Sequence, residues 1–139
     1  MSKLFNLNIL TPEREFFDGE AEAVTLLAPD GSITILADHI PFIMPVVTGS
    51  ISFKVDNQWK TAANSEGFME VKRRGVAIFV QACEYPEEID RRRAEEARRR
   101  AEEKLRQKQS MSEYKQSKLA LARAMARLKV TQMPHMNDG

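Results

Sequence analysis

The chain has 139 residues, 42% of them hydrophobic and 29% charged, with 21 Lys and Arg against 20 Asp and Glu. This length suits one ordinary domain, or a small domain with an appendage. A single cysteine, Cys83, excludes an intramolecular disulfide and any need for an oxidising compartment.

The longest apolar stretches, such as IPFIMPVV at 40–47, are too short and too proline-rich to span a bilayer. The opening MSKLFNLNIL has no extended apolar core and no small-residue cleavage site, so no signal peptide is expected. The expectation is a soluble, cytoplasmic chain. Its near-neutral total conceals a split. Residues 1–85 carry a balance of −4 and residues 86–139 one of +5. All seven Phe, Trp59 and Tyr85 lie in the first part, and only Tyr114 in the second. The two segments therefore need different kinds of core.

The first segment reads as strands. FNLNI (Phe5, Leu7, Ile9) and ISFKV (Ile51, Phe53, Val55) alternate apolar and polar residues, the period of a half-buried strand. AVTLLA runs into a turn at Pro29-Asp30-Gly31, and SITIL follows it. Further turns are predicted at Asp18-Gly19, Asp56-Asn57 and Arg74-Gly75, with WKTAA, FMEVKR and VAIFVQA as the remaining strands. Short strands at this spacing predict an antiparallel sandwich or barrel over residues 1–85.

Pro86 breaks the pattern. Glu87, Glu88 and Asp90 place negative charge where the dipole of a first helical turn favours it. From there to about Gln109 the chain lacks Gly, Pro and, apart from Ile89, β-branched residues, while Ala94, Ala97, Ala101 and Leu105 recur at helical spacing. Ser110 to Glu113 (SMSE) fits a capping box, so a second helix is expected there. Tyr114, Leu121, Met125 and Leu128 form its expected buried stripe, with Ala122 and Ala126 beside it. Two helices with a short join predict an antiparallel hairpin over 86–133, followed by a frayed tail at 134–139. Its alanine-rich faces bury little area, so the hairpin is expected to need the sandwich, a partner or a ligand to fix its conformation.

Three readings compete for the six arginines at Arg91, Arg92, Arg93, Arg98, Arg99 and Arg100. The first is a solvated face, with Glu95–Arg99, Glu96–Arg100 and Glu102–Arg106 as i,i+4 pairs. The second, nucleic acid, is disfavoured by the interleaved glutamates and the absence of aromatics for base stacking. The third is a pocket for a polyphosphate. Arg93 and Arg100 lie seven apart on nearly one face, and Arg123 and Arg127 lie one turn apart on the second helix. A folded hairpin permits the two pairs to converge, with Asp90 available to a base or ribose.

The whole chain resembles the epsilon subunits of F-type ATP synthases. The resemblance rests on ILTPEREFFDGEAEAVTL, on PDGSITILADHIPFIMPVVTG with Gly31, His39, Pro41 and Gly49 in the family's pattern, and on the order of sandwich and hairpin. It implies an α+β fold and a non-catalytic rotor component on the cytoplasmic face of the membrane. The sandwich would join a gamma subunit to the c-ring, with Gly31 and His39 at the interface. The hairpin would switch from a compact form to an extended one that reaches the catalytic alpha/beta hexamer and inhibits ATP hydrolysis.

In some members ATP holds the hairpin compact, through the motif I/L-D-x-x-R-A. IDRRRA matches it here at Ile89, Asp90, Arg93 and Ala94, and the resemblance adds Glu84, Arg100, Arg123 and Arg127. Two departures fall near the expected c-ring face: Ser32 stands where many members have an acid, and LADH replaces a glycine-containing approach to His39.

From the residues alone, His39 reads more readily as a turn or packing histidine than as an interface contact. No nucleophile–base pair, metal-ligand spacing or glycine-rich phosphate loop is evident, so ATP is expected as a signal and not as a substrate. The alternative function is a structural adaptor with a constitutive helical arm and no nucleotide.

Overall fold

In a computed structural model the residues described are 3–132, so the expected tail at 134–139 and His135 lie outside them. Ten strands form two five-stranded sheets, and two helices follow. The strands are β1 (Phe5–Leu10), β2 (Glu15–Ala21), β3 (Ala23–Ala28), β4 (Gly31–Leu36), β5 (Phe42–Val46), β6 (Gly49–Val55), β7 (Gln58–Asn64), β8 (Gly67–Val71), β9 (Gly75–Val80) and β10 (Cys83–Glu84). One sheet has the order β2-β1-β9-β8-β5 and the other β10-β7-β6-β3-β4. Pairing is antiparallel except between β1 and β9, which run parallel from Asn6↔Gly75 to Leu10↔Phe79.

The alternating residues meet between the sheets. Leu7 and Ile9 from β1, Val24 and Leu26 from β3, Ile35 from β4, Ile51 and Phe53 from β6, Met69 from β8 and Ile78 from β9 are fully buried. A sandwich buries one face of each sheet, so period-two strands supply such a core with no further pattern.

Turn chemistry fixes the registers. Asp56 and Asn57 both have positive φ (52° and 63°) and join β6 to β7 as a two-residue hairpin closed by Val55↔Gln58. That is the geometry whose twist matches paired strands, and Asp and Asn tolerate it. Gly31, at φ 126°, closes the two-residue Pro29-Asp30 connection of β3 to β4.

Two strands depart from the sequence expectation. Asp18-Gly19 is not a turn; it lies inside β2, where Gly19 pairs with Leu7 and Asp18 with Asn8. The reversal comes earlier. Thr11 N–H donates to Arg14 O at 2.9 Å and Arg14 N–H to Thr11 Oγ1 at 3.1 Å, bracketing Pro12. Gly19 instead leaves room for the Phe17 ring, whose Cζ would lie 3.0 Å from an added Cβ. The second departure is β5, an apolar run with no clear alternation. It tolerates Pro45 because it is an edge strand and needs no ladder donor there.

The helices are α1 (Arg91–Arg106) and α2 (Met111–Gln132). The first starts later than expected. Glu87 and Glu88 belong to a separate 3-10 turn, Pro86–Glu88, and Asp90 is the N-cap of α1, accepting from Arg93 N–H at 3.2 Å. Ser110 caps α2, with Glu113 N–H donating to its Oγ at 3.2 Å.

The helices pack against each other, and α2 also lies on β6, β7 and the 3-10 turn. Consequently α2 buries two opposite sides, Ser117, Ala124 and Leu128 on one and Ala126 and Val130 on the other. The expected stripe holds only in part: Leu128 and Ala126 are buried, but Met125 is 54% exposed and Tyr114 41%. A single-face reading fails for a helix with a neighbour on each side.

Candidate functional site: the joint between sandwich and hairpin

The arginine-rich helix organises its own charges first. The pairs are Arg92–Glu96, Arg98 with both Glu95 and Glu102, and Arg106–Glu103. The expected pairs Glu95–Arg99, Glu96–Arg100 and Glu102–Arg106 are not formed. Arg98 stands three residues after one glutamate and four before another, and its fork binds both. Arg99 and Arg100 are left without a carboxylate partner.

Where α2 meets the second sheet, two of its arginines turn to the sandwich. Arg127 Nε donates to Glu84 Oε1 at 2.7 Å, with side chains 35% and 28% exposed. Arg123 Nη2 lies 3.5 Å from Glu66 Oε1, in the loop between β7 and β8. Glu66 Oε2 accepts from Thr48 Oγ1 at 3.1 Å. Burial opposes ionisation of Glu66, but a backbone hydrogen bond, the Thr48 hydroxyl and Arg123 outweigh it and hold the carboxyl below its ordinary value.

Between these pairs lies a recess of about 10 Å³, lined by Ala63, Asn64, Ser65, Ala82, Glu84, Arg123 and Arg127. That is the room of one water-sized sphere. Asn64 is 3% exposed and donates to Val47 O at 3.1 Å and Ser65 O at 2.8 Å. Its Oδ1 is buried with no protein partner.

The strand that supplies Glu84 leads into a second anchorage. Arg14 Nη2 donates to Cys83 O at 3.2 Å and to Glu88 Oε1 at 2.9 Å, and its Nη1 lies 2.8 Å from Glu88 Oε2. Tyr85 N–H also donates to Glu88 Oε1 at 2.8 Å, and the Tyr85 ring lies 4.3 Å from that of Phe16. The Arg14 hydrogen bond holds the Glu88 carboxyl below its ordinary value. Cys83 is buried, and burial pushes its thiol up to about 12, so it is an inert core residue.

The expected site residues thus fall into three places. Glu84, Arg123 and Arg127 share the joint. Ile89, Asp90, Arg93 and Ala94 lie at the start of α1, where Ala94 is buried and Arg93 Nε lies 3.6 Å from Asp90 Oδ2 with its side chain 85% exposed. Arg100 lines another recess, at the bend of the hairpin. The arginine pairs do not converge on the joint in this conformation: neither Arg93 nor Arg100 lines its recess.

Gly31 and His39 lie away from the hairpin, on the β3–β4 turn and the β4–β5 loop. His39 Nδ1 donates to Ile40 O at 3.0 Å, and its ring lies 5.1 Å from that of Phe42. Leu36, Ile40 and Ile43 in that region are 57%, 78% and 69% exposed. Glu66, Thr48, Asn64 and Arg14 carry contacts that the sequence did not suggest. The one available hint was the charge split, which sets an acidic sandwich against a basic hairpin.

Comparisons with known proteins identify the family. Residues 4–86 match the beta-sandwich domain of the ATP synthase delta/epsilon chain, and residues 87–132 match the long alpha-helix domain of the same chain. The chain is 50% identical over 131 residues to the ATP synthase epsilon chain of Caldanaerobacter subterraneus subsp. tengcongensis, covering 94% of this chain and 95% of that one. It is 46% identical over 127 residues to the epsilon chain of Ruminiclostridium cellulolyticum, covering 91% and 95%.

Among solved structures, a chain of the Euglena gracilis mitochondrial ATP synthase shares the fold with a TM-score of 0.79 at 20% identity, over 94% of this chain and 82% of that one. A chain of the Tetrahymena thermophila mitochondrial ATP synthase central stalk and c-ring does so at 0.65 and 16%, over 94% and 98%. The chain therefore belongs to the ATP synthase epsilon-chain family, the non-catalytic subunits of the F-type central stalk.

Proposed function

We propose that the sandwich couples a gamma subunit to the c-ring at the cytoplasmic face of the membrane, and that the hairpin is a releasable arm regulated by ATP. The observation that carries the regulatory part is the joint itself. The hairpin is tied to the sandwich by Glu84–Arg127 and Glu66–Arg123, ion pairs between groups only partly removed from water. Such pairs are weak enough to exchange partners and specific enough to hold a register.

In this reading nucleotide phosphates draw Arg123 and Arg127 from their carboxylates and complete a set with Arg93 and Arg100. Asp90, Ile89 and Ala94 lie at the adjoining end of α1. Released, the arm extends toward the alpha/beta hexamer and restrains ATP hydrolysis. The exposed apolar residues around His39 suit the sandwich's contact with the rotor.

Titration of the full chain with ATP and with ADP by calorimetry tests the regulatory claim. Saturable ATP binding is expected, weakened about tenfold by Arg93→Ala or Arg127→Ala, the scale of one charge-assisted hydrogen bond. Arg92→Ala is expected to leave it unchanged, because Arg92 lies outside the proposed set and pairs with Glu96 on the solvated face.

A second reading, a constitutive arm without nucleotide, is favoured by the smallness of the recess between Arg123 and Arg127. Absence of saturable binding at millimolar ATP decides for it. Co-purification with a gamma subunit tests the rotor role, and its absence contradicts it.

A further inference from the structure

We propose that the recess at the bend of the hairpin is a binding site for a phosphoryl anion, held by Arg100, Lys104 and Lys108 with Gln109 as a neutral donor. This recess is about 410 Å³, within the range of small-molecule sites, and lies between α1 and the first turns of α2. Ala97, Ala101 and Ala120 line it with small side chains that leave the space open.

The charge pattern of α1 points to an anion. Glu95, Glu96, Glu102 and Glu103 are all engaged with Arg92, Arg98 and Arg106. Arg91, Arg99, Arg100, Lys104 and Lys108 have no carboxylate partner among the described residues, and Arg100, Lys104 and Lys108 line this one recess. Spaced four apart, Arg100 and Lys104 fall on one side of α1, and Lys108 follows just beyond its end. Glu113 is the single opposing carboxylate in the lining, and its Oε1 accepts from Ser110 Oγ at 3.0 Å.

A second observation is independent of charge. Ser117 Oγ donates to Gln109 Oε1 at 3.4 Å. Gln109 Nε2 is buried and has no acceptor in the protein. Buried donors are ordinarily satisfied, so an acceptor on a ligand in this recess would complete it. Three cations and an amide donor suit a group with several acceptor oxygens and at least two negative charges. A free phosphate or pyrophosphate and the phosphate chain of a nucleotide share that chemistry. Arg100 also belongs to the proposed nucleotide set; Lys104, Lys108 and Gln109 do not.

Nuclear magnetic resonance of the full chain, titrated with pyrophosphate at constant ionic strength, is the test. A saturable shift of the Gln109 side-chain amide is expected. The double variant Lys104→Ala/Lys108→Ala should weaken it about tenfold, while Arg92→Ala, on the solvated face, leaves it unchanged. Both lysines are exposed and unpaired, so their loss spares the fold. Shifts equal to those from sodium chloride, or equal affinity in the double variant, overturn the proposal. A parallel ATP arm separates the sources. An ATP-induced Gln109 shift lost in the double variant assigns the site to a nucleotide's phosphates. Pyrophosphate binding without an ATP effect at Gln109 assigns it to the free anion. ATP binding at Arg127 with no pyrophosphate response at Gln109 overturns this proposal and leaves the nucleotide reading standing.

Discussion

The sandwich and the hairpin are stabilised by different physics. Between the sheets, Phe53, Leu7, Ile9 and Ile78 are wholly removed from water and interlock across the two layers. In α1 only Ala94 and Ala101 are buried, and α2 adds Ser117, Ala124, Ala126, Leu128 and Val130. Alanine brings helices close but removes little apolar surface, at about 25 cal/mol per Å². The hairpin therefore depends more on caps and on the ion pairs that moor α2 to the sandwich. A moored element can be released while the domain beneath it stays folded, as the proposed releasable arm requires.

The largest expected effect is on the sandwich. Phe53→Ala removes a fully buried ring and is expected to destabilise the chain by about 3–5 kcal/mol. Chemical denaturation followed at Trp59 would measure it, and a loss below about 1 kcal/mol would erase the contrast with the hairpin.

Next comes the mooring. Glu84→Gln leaves Arg127 partly buried without its charge partner and is expected to cost the docked hairpin about 1–3 kcal/mol. Hydrogen exchange should report faster opening of α2 and unchanged protection in β1, β6 and β9. Equal loss in both regions would mean that the two fold as one unit.

Smaller still, Asp90→Ala removes the N-cap of α1 and should cost about 1 kcal/mol, read as lost helicity confined to the first turn. Arg92→Ala, on the solvated face, should lie within about 0.5 kcal/mol of the parent.

Acid provides a further contrast. Glu66 and Glu88 have folded values below the ordinary one, so they contribute stability that is fully present above about pH 4.3. It is lost as pH falls through their lowered folded values, because the unfolded chain then binds more protons. Both groups lie where the hairpin meets the sandwich, so α2 and the 3-10 turn should loosen before the sandwich core. Simultaneous loss of near-ultraviolet signal from the core and of helix protection would contradict that order.

Much of this was legible in the sequence because local rules act alone there. Alternation named Phe5, Leu7, Ile9, Ile51 and Phe53, and Asp56-Asn57 marked its hairpin because few residues accept positive φ twice. Failures occurred where two signals competed. Asp18-Gly19 has turn composition, but Thr11-Pro12 reverses the chain first, and the glycine serves the Phe17 ring instead. Met125 has helical spacing, but α2 has neighbours on two sides and buries small residues toward both.

At the candidate site, Arg123 and Arg127 could be singled out from their spacing. Their carboxylate partners, Glu66 and Glu84, come from distant strands and loops, and no spacing rule relates them. The pairs on α1 illustrate the same limit in miniature. Several glutamates lay within reach of each arginine, and side-chain geometry gave two of them to Arg98.

Hydrogen exchange of the intact chain, with and without ATP, tests the central claim most directly. Amides of α1 and α2 are expected to open at lower free energy than those of β1, β3, β6 and β9, with ATP slowing the helices alone. One uniform class of opening, indifferent to ATP, would contradict the account of a separately moored, ligand-held arm.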